Sequence, residues 1–279
     1  MATKPGWGSA TAAAGGVSRR SKDELFKRVS VDTIKPNMKI GLWGPSKVGK
    51  TRVIMEMATE ALKVENPEPS FSPVYVLDTE FNTDTPYKII AKACPAADIR
   101  IIHCRVGTTG NVGTDAIASL ELYEEALVAL ADIDGGVVAL DSATDLWQWI
   151  TLRLRTDILK IDPSARVAPS DYSWANTYYK KLMLQAKAIN AHMVMTAHSQ
   201  EVFRDAKLTP TGVYKPVWQK ESEYYTHMEI RLDFPEQDQY EKGIYNSATI
   251  KGSRYLPMYN KKYMNLSMRQ VYNDVKRFL

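Results

Sequence analysis

The stretch Gly44-Pro45-Ser46-Lys47-Val48-Gly49-Lys50-Thr51 constrains this chain more than any other, because it matches G-x-x-x-x-G-K-[ST] in a setting that admits few folds. An apolar run over residues 38–43 precedes it, and Val53, Ile54, Met57, Ala58, Ala61 and Leu62 recur behind it at helical spacing. The pattern therefore predicts a strand, a glycine-bearing loop and a helix that opens at Lys50. In such a loop the glycines let the backbone curl so that successive N–H groups face one anion, and the helix N-terminus adds partial positive charge. Lys50 then reaches the β- and γ-phosphates of a nucleotide, and the Thr51 hydroxyl takes Mg²⁺. A glycine turn of a dinucleotide-binding domain is the plainer alternative, but it gives no packing reason for Lys and Thr at these two positions.

Further along, compact apolar runs at 74–77, 99–104 and 137–140 are short enough for strands buried in a parallel sheet. A helix is expected over 115–131, with Ile117, Leu120, Leu127 and Leu130 on one face, and another over 174–190 leads into a strand at 193–196. Alternating segments at 227–234 and 245–251 read as antiparallel strands. The fold class is thus α/β, one mostly parallel sheet with helices on both faces and late antiparallel strands. Residues 1–21 lack apolar periodicity and read as a flexible leader, 22–256 as the core with a short helix at 22–29, and 257–279 as a basic C-terminal extension.

A chain of 279 residues, 44% hydrophobic and 24% charged, buries a sizeable core and is not disordered throughout. No apolar stretch approaches the roughly 20 residues of a membrane span, and the first 20 residues offer no signal-peptide core, so a cytoplasmic protein without a membrane partner is expected. Cys94 and Cys104 lack partners at finger-like spacing and read as buried free thiols. Charge is uneven: residues 1–36 hold 7 Lys/Arg against 3 Asp/Glu and residues 251–279 hold 7 against 1, so with an overall net charge of +4 the middle is acidic. Basic ends suit a polyanion or an acidic neighbouring subunit, or are solvated tails.

A phosphate loop works with a second acid at the carboxyl end of a neighbouring strand. Asp141, directly after the apolar 137–140, is the candidate for Mg²⁺, and capping of the next helix is its plainer role. Hydrolysis needs a base or water-orienting group as well. Glu80 in Leu77-Asp78-Thr79-Glu80 is favoured, with Asp78 as competitor because it comes first after the apolar run.

The loop at 44–51, Leu77-Asp78-Thr79-Glu80 and Val138-Ala139-Leu140-Asp141-Ser142 together resemble the RecA/RadA class of P-loop ATPases, closest to short RecA-like nucleotide-binding proteins of phages and archaeal viruses. The resemblance runs over about 36–256 and implies a RecA-like ATPase core. It also implies that Glu80 activates the attacking water, that Asp141 assists Mg²⁺, and that a polar residue after the next strand senses the γ-phosphate. His198 or Gln200 in Thr196-Ala197-His198-Ser199-Gln200 holds that place, His198 being favoured by position. Subunits of this class assemble into rings or filaments in which a neighbour's basic residues complete the site. Lys251 and Arg254 resemble such a pair with one residue too many between them, and a solvated basic turn is the alternative.

A long polar loop is expected over 199–224. Phe203, Arg204, Lys207, Tyr214, Lys215, Trp218 and Lys220 interleave aromatics and positive charge there, the combination that binds single-stranded nucleic acid by base stacking and phosphate contacts. The resemblance makes this a DNA-binding loop. Tyr259, Lys261, Lys262, Tyr263, Arg269, Tyr272, Lys276 and Arg277 offer a second such surface, unless these aromatics pack a helix or an interface. The implied function is an ATP-hydrolysing homo-oligomer acting on single-stranded DNA in recombination or annealing. A genome-packaging or other motor ATPase and a nucleotide-dependent assembly switch without DNA are the alternatives.

Overall fold

The computed structural model describes residues 37–63, 70–107, 109–203 and 210–278. The expected leader and the helix at 22–29 lie outside the described residues, as do Arg204 and Lys207. Residues 36–279 form one compact unit.

Strands β1 (Lys39–Gly44), β2 (Val74–Asp78), β3 (Ile99–His103), β4 (Asp134–Asp141), β5 (Asn190–Phe203), β6 (Pro210–Pro216), β7 (Met228–Asp233), β8 (Ser247–Ser253) and β9 (Lys262–Met264) build one sheet. Its order is β3-β2-β4-β5-β1-β7-β8-β9, with β6 paired to the far half of β5. The pairs from β3 across to β7 are parallel, whereas β8, β9 and β6 each join antiparallel. Helices α1 (Lys50–Ala61), α2 (Asp84–Ala93), α3 (Val112–Ala129), α4 (Ala143–Arg153), α5 (Ser173–Ala188), α6 (Gln237–Glu241) and α7 (Met268–Val275) connect or follow them.

Every residue of β1 is buried, as a central parallel strand covered on both faces requires. One apolar layer packs α1 and α7 on Ile40, Leu42, Val76, Val194 and Ile230; the other packs α3, α4 and α5 on Leu77, Val138, Leu140, Met193 and Met195. The alternation of β1 explains Gly41, which faces the second layer: an added Cβ there would stand 2.6 Å from Cη2 of Trp218. On α3 the buried stripe is Ala116, Leu120, Tyr123 and Leu127, and Ile117 is only half-buried, so the face is turned slightly from the one expected. Of the two free thiols Cys104 is buried and Cys94 is half-buried.

Helices α2 and α4 are absent from the sequence reading for opposite reasons. Helix α2 buries only Ile90, too little to give a periodic signal, whereas α4 follows the apolar strand at once and its period merges with it. Nor is 199–224 a polar loop. Strand β5 runs on to Phe203 and β6 returns beside it, with Gln200 opposite Lys215 and Glu201 opposite Tyr214.

The expected C-terminal extension is part of the core. Strand β9 extends the sheet, Ser267 caps α7 by accepting from the Gln270 N–H, and Met268, Val271, Tyr272 and Val275 are buried in the same layer as α1. Arg269 lies 4.3 Å from the Phe71 ring centroid and its backbone N–H donates to Glu60. Tyr263 and Tyr272, 4% and 7% exposed, are therefore core aromatics and no part of a nucleic-acid surface. We expect Tyr272→Ala to lower the unfolding free energy by about 3–5 kcal/mol, the range for deleting a buried aromatic ring, in urea denaturation. A residue on a solvated tail would change it by less than about 0.5 kcal/mol.

A candidate nucleotide cleft at the carboxyl ends of the strands

The parallel register brings the carboxyl ends of β1, β2, β4 and β5 side by side, with Asp78 opposite Asp141 and Gly44 opposite His198. A cleft of about 520 Å³ opens there. It is lined by Ser46, Lys47, Gly49, Lys50 and Thr51 of the loop, by Glu80 and Asn82 after β2, by Asp141 and His198, and by Thr85, Pro86 and Ile89 of α2.

Loop geometry follows from its residues. Gly49 has φ 95°, which only glycine adopts without strain, and Lys47 also has positive φ, at 65°. At Gly44 a side chain would collide with the Leu232 carbonyl of β7. No side chain caps α1, whose first-turn N–H groups are thus left to an anion. Lys50 is buried, and its Nζ donates to the Gly44 and Pro45 carbonyls at 3.2 and 2.9 Å. Burial lowers its pKa, against the pull of Asp141 and Glu80. Val48 points away from the cleft into the core.

Asp141 is 4% exposed and accepts from the hydroxyls of Thr51, at 2.6 Å, and Thr196, at 2.5 Å. Burial raises its pKa; those two bonds oppose the rise, and the charges of Glu80 and Asp78 add to it. A buried carboxylate needs a compensating cation. Thr51 and Asp141 supply the all-oxygen donor set that Mg²⁺ prefers, so the residues fit that ion.

The two acids after β2 have separate tasks. Asp78 is fully buried: it accepts from the Glu80 N–H at 2.9 Å and from the Thr83 hydroxyl at 2.7 Å, with His103 Nδ1 2.9 Å away. It does not line the cleft. Thr79 ties the ends of β2 and β4 together, its N–H donating to the Asp141 carbonyl and its hydroxyl accepting from the Ser142 N–H, both at 2.7 Å. Glu80 therefore projects into the cleft, where Oε1 meets His198 Nε2 at 2.8 Å and Oε2 accepts from Asn82 at 2.9 Å. Burial pushes the Glu80 carboxyl up, but hydrogen bonds from His198, Ser142 and Asn82 and the His198 charge outweigh it and hold it well below the usual carboxylate range. His198 is shifted upward, first by its bond to Glu80 and then by the charges of Glu80 and Asp145, against burial and Lys50.

Thr196, Asn82, Ser142 and Asp145 were not singled out in the sequence. Ser142 caps α4 by accepting from the Asp145 N–H, and Ser142-Ala143-Thr144-Asp145 has the S-x-x-D spacing of a capping box, a signal that was legible.

Other candidates fall outside the cleft. Gln200 is exposed on the hairpin, which leaves His198 as the residue of that pair at the site. Lys251 and Arg254 lie at the opposite end of the sheet, since β8 runs antiparallel to β7 and Ser253 pairs with Met228, itself opposite Ile40. Phe203, Lys215 and Lys220 are exposed, but Trp218 is half-buried, with the edge of its ring packed beneath Gly41. Among the described residues no helix is long and apolar enough to cross a membrane. Comparison with protein-family models and with curated protein sequences finds no match.

The Glu80–His198 pair makes stability depend on pH in both directions. A depressed carboxylate contributes above its ordinary value of 4.5 and loses that as pH falls through its folded pKa, and a raised imidazole contributes below 6.5 and loses that as pH rises through its folded pKa. Glu80→Gln should bring the His198 titration down toward or below 6.5 in a histidine NMR experiment. An unmoved His198 titration would mean the pair does not form in solution.

Proposed function

We propose that this chain is a RecA-like P-loop ATPase that binds ATP with Mg²⁺, assembles as a homo-oligomer and acts on single-stranded DNA in recombination or annealing. The observation that carries the reading is the convergence of Lys50, Thr51, Asp141 and Glu80 on one cleft from three separate segments of chain. Loop and helix N-terminus take the phosphates, Lys50 neutralises the charge that develops on the transferred group, and Thr51 and Asp141 hold the ion. Held by Thr51 and Asp141, a Mg²⁺ ion would supply positive charge against the phosphates. Glu80 is the base for the attacking water.

Two features support action on DNA. The β5–β6 hairpin exposes Phe203, Tyr214 and Lys215 on the same strand pair that holds His198, with Phe203 five residues along β5 from His198 and Lys215 opposite Gln200. The His198 N–H donates to the Thr144 hydroxyl, which donates to the carbonyl of Val217 at the hairpin's base. Lys251 and Arg254 lie at the far end of the sheet from their own loop, and in this reading they serve another copy's cleft.

One observation favours a nucleotide-dependent switch as the second reading. Glu80, bonded to His198 and lowered in pKa, is a weak base in this state, which suits slow turnover that a partner accelerates.

Lys50→Ala should abolish ATP binding with the fold retained, in calorimetry and circular dichroism. Glu80→Gln should keep binding and lose about 10²-fold or more in hydrolysis. Unchanged hydrolysis in both variants would end the ATPase reading. Phe203→Ala with Lys215→Ala should weaken single-stranded DNA binding and flatten its salt dependence by about 0.7 in log–log slope for the lost phosphate contact. An unchanged slope would remove the hairpin from any DNA site.

A further inference from the structure

Asp145, the third residue of α4, stands beside the Glu80–His198 pair without belonging to it. One carboxylate oxygen of Asp145, one of Glu80 and one ring nitrogen of His198 all lie within 4.8 Å of one another. Ser142 ties down Asp145: its hydroxyl donates to Asp145 Oδ2 at 3.1 Å and accepts from the Asp145 N–H at 3.4 Å. Backbone ties keep the three groups in register, because the His198 N–H donates at 3.0 Å to Thr144, the residue next to Asp145. The imidazole therefore has two carboxylates within reach of a side-chain rotation, and its ring bond to Glu80 is made at Nε2.

Occupancy of that bond decides what Glu80 is able to do. A carboxylate bonded to an imidazolium is a poor base, since a proton from water would have to displace the hydrogen bond and the opposite charge that hold Glu80 ionised. Moving the imidazolium to solvent would give up its carboxylate contact, whereas passing it to a second carboxylate keeps one. We propose that Asp145 is a positioning residue that receives the His198 imidazolium as it leaves Glu80, freeing Glu80 to take the proton of the attacking water. The step rests on the ATPase reading above. Its balance is simple: the hydrogen bond from Nε2 to Glu80 is replaced by one from the ring to Asp145, the proton stays on His198, and no charge is created or lost.

Electrostatics agree with this arrangement. Burial and the charge of Glu80 push the Asp145 carboxyl up to about 6, opposed by the Ser142 hydrogen bond and by the charges of His198 and Arg105. The Ser142 hydrogen bond and, after it, the charge of His198 both favour the ionised form of Asp145. His198 in turn faces Glu80, Asp145 and Lys50, and its charge is favoured by the two acids.

The test compares the full-length protein with Asp145→Asn and Asp145→Glu in ATP affinity, single-turnover hydrolysis across pH, and NMR titration of His198 without nucleotide. Asp145→Asn keeps an oxygen for Ser142 and removes the charge. The expected result is unchanged ATP affinity, a fall of at least about 10-fold in the single-turnover rate, a lowered His198 titration, and recovery of rate and titration in Asp145→Glu. Asp145→Ser, which retains a capping hydroxyl without charge, carries the same comparison if the Asn variant does not fold. A folded, uncharged variant with wild-type rate and wild-type His198 titration overturns the proposal. So does a slowed variant whose His198 titration is unmoved, because that is a capping defect of α4. Lys50→Ala separates the two levels: hydrolysis present in the wild type and lost in Lys50→Ala upholds the ATPase reading whatever Asp145 does, and hydrolysis unaffected by Lys50→Ala removes both.

Discussion

The carboxylate of Asp141, buried at the end of a central strand and held by two hydroxyls, is the constraint on which the rest of the site depends. An ionised group in that position survives only where the protein supplies donors and a cation. Thr51 comes from the first turn of α1 and Thr196 from β5, so satisfying one carboxylate locks the register of β4 against β5 and the 44–51 loop against both. Thr79 repeats the same stitch between β2 and β4. Four strand ends become one rigid floor, and the side chains that face the cleft stand on it.

Charge on that floor is distributed by burial. Asp78 is spent internally, its acceptor sites filled by the Glu80 N–H, Thr83 and His103, and it works as the brace that aims Glu80. Glu80 and Asp145 are half-buried and share the neighbourhood of one imidazole. Acids at this spacing repel each other, and a single cation between them lowers the energy of whichever it joins. In the structure the imidazole joins Glu80, which leaves Asp145 as the second acid beside it.

At its two ends the sheet carries different chemistry. The carboxyl end concentrates the loop, the acids and His198; at the opposite end burial, and then the charges of Arg254, Lys187 and Lys39, push His227 down to about 4. Burial, followed by the charge of Lys187, likewise lowers Lys39 to about 8, and its Nζ is held by the Ile189 and Ala191 carbonyls. The antiparallel return of β8 is what delivers Arg254 to that far edge.

Much of this was legible from residue order alone, because the relevant signals are local. The phosphate loop announces itself through glycines and a Lys-Thr pair, buried parallel strands through short apolar runs, and Asp141 and Glu80 through their places just after such runs. Only tertiary structure could separate Glu80 from Asp78, since the two differ in direction and not in spacing, and the difference is made by hydrogen bonds from Thr83 and from His103, which lies 25 residues away in sequence. The same holds for Asp145, whose helix merges with the strand before it, and for Trp218 and Tyr272, whose burial is invisible in a sequence that shows only aromatics next to lysines. Sequence by itself determined which groups the chain carries and the strand ends at which they stand; the long-range pairing of β1, β2, β4 and β5 decided which of them meet, because contact and burial depend on neighbours that the chain brings together only when folded.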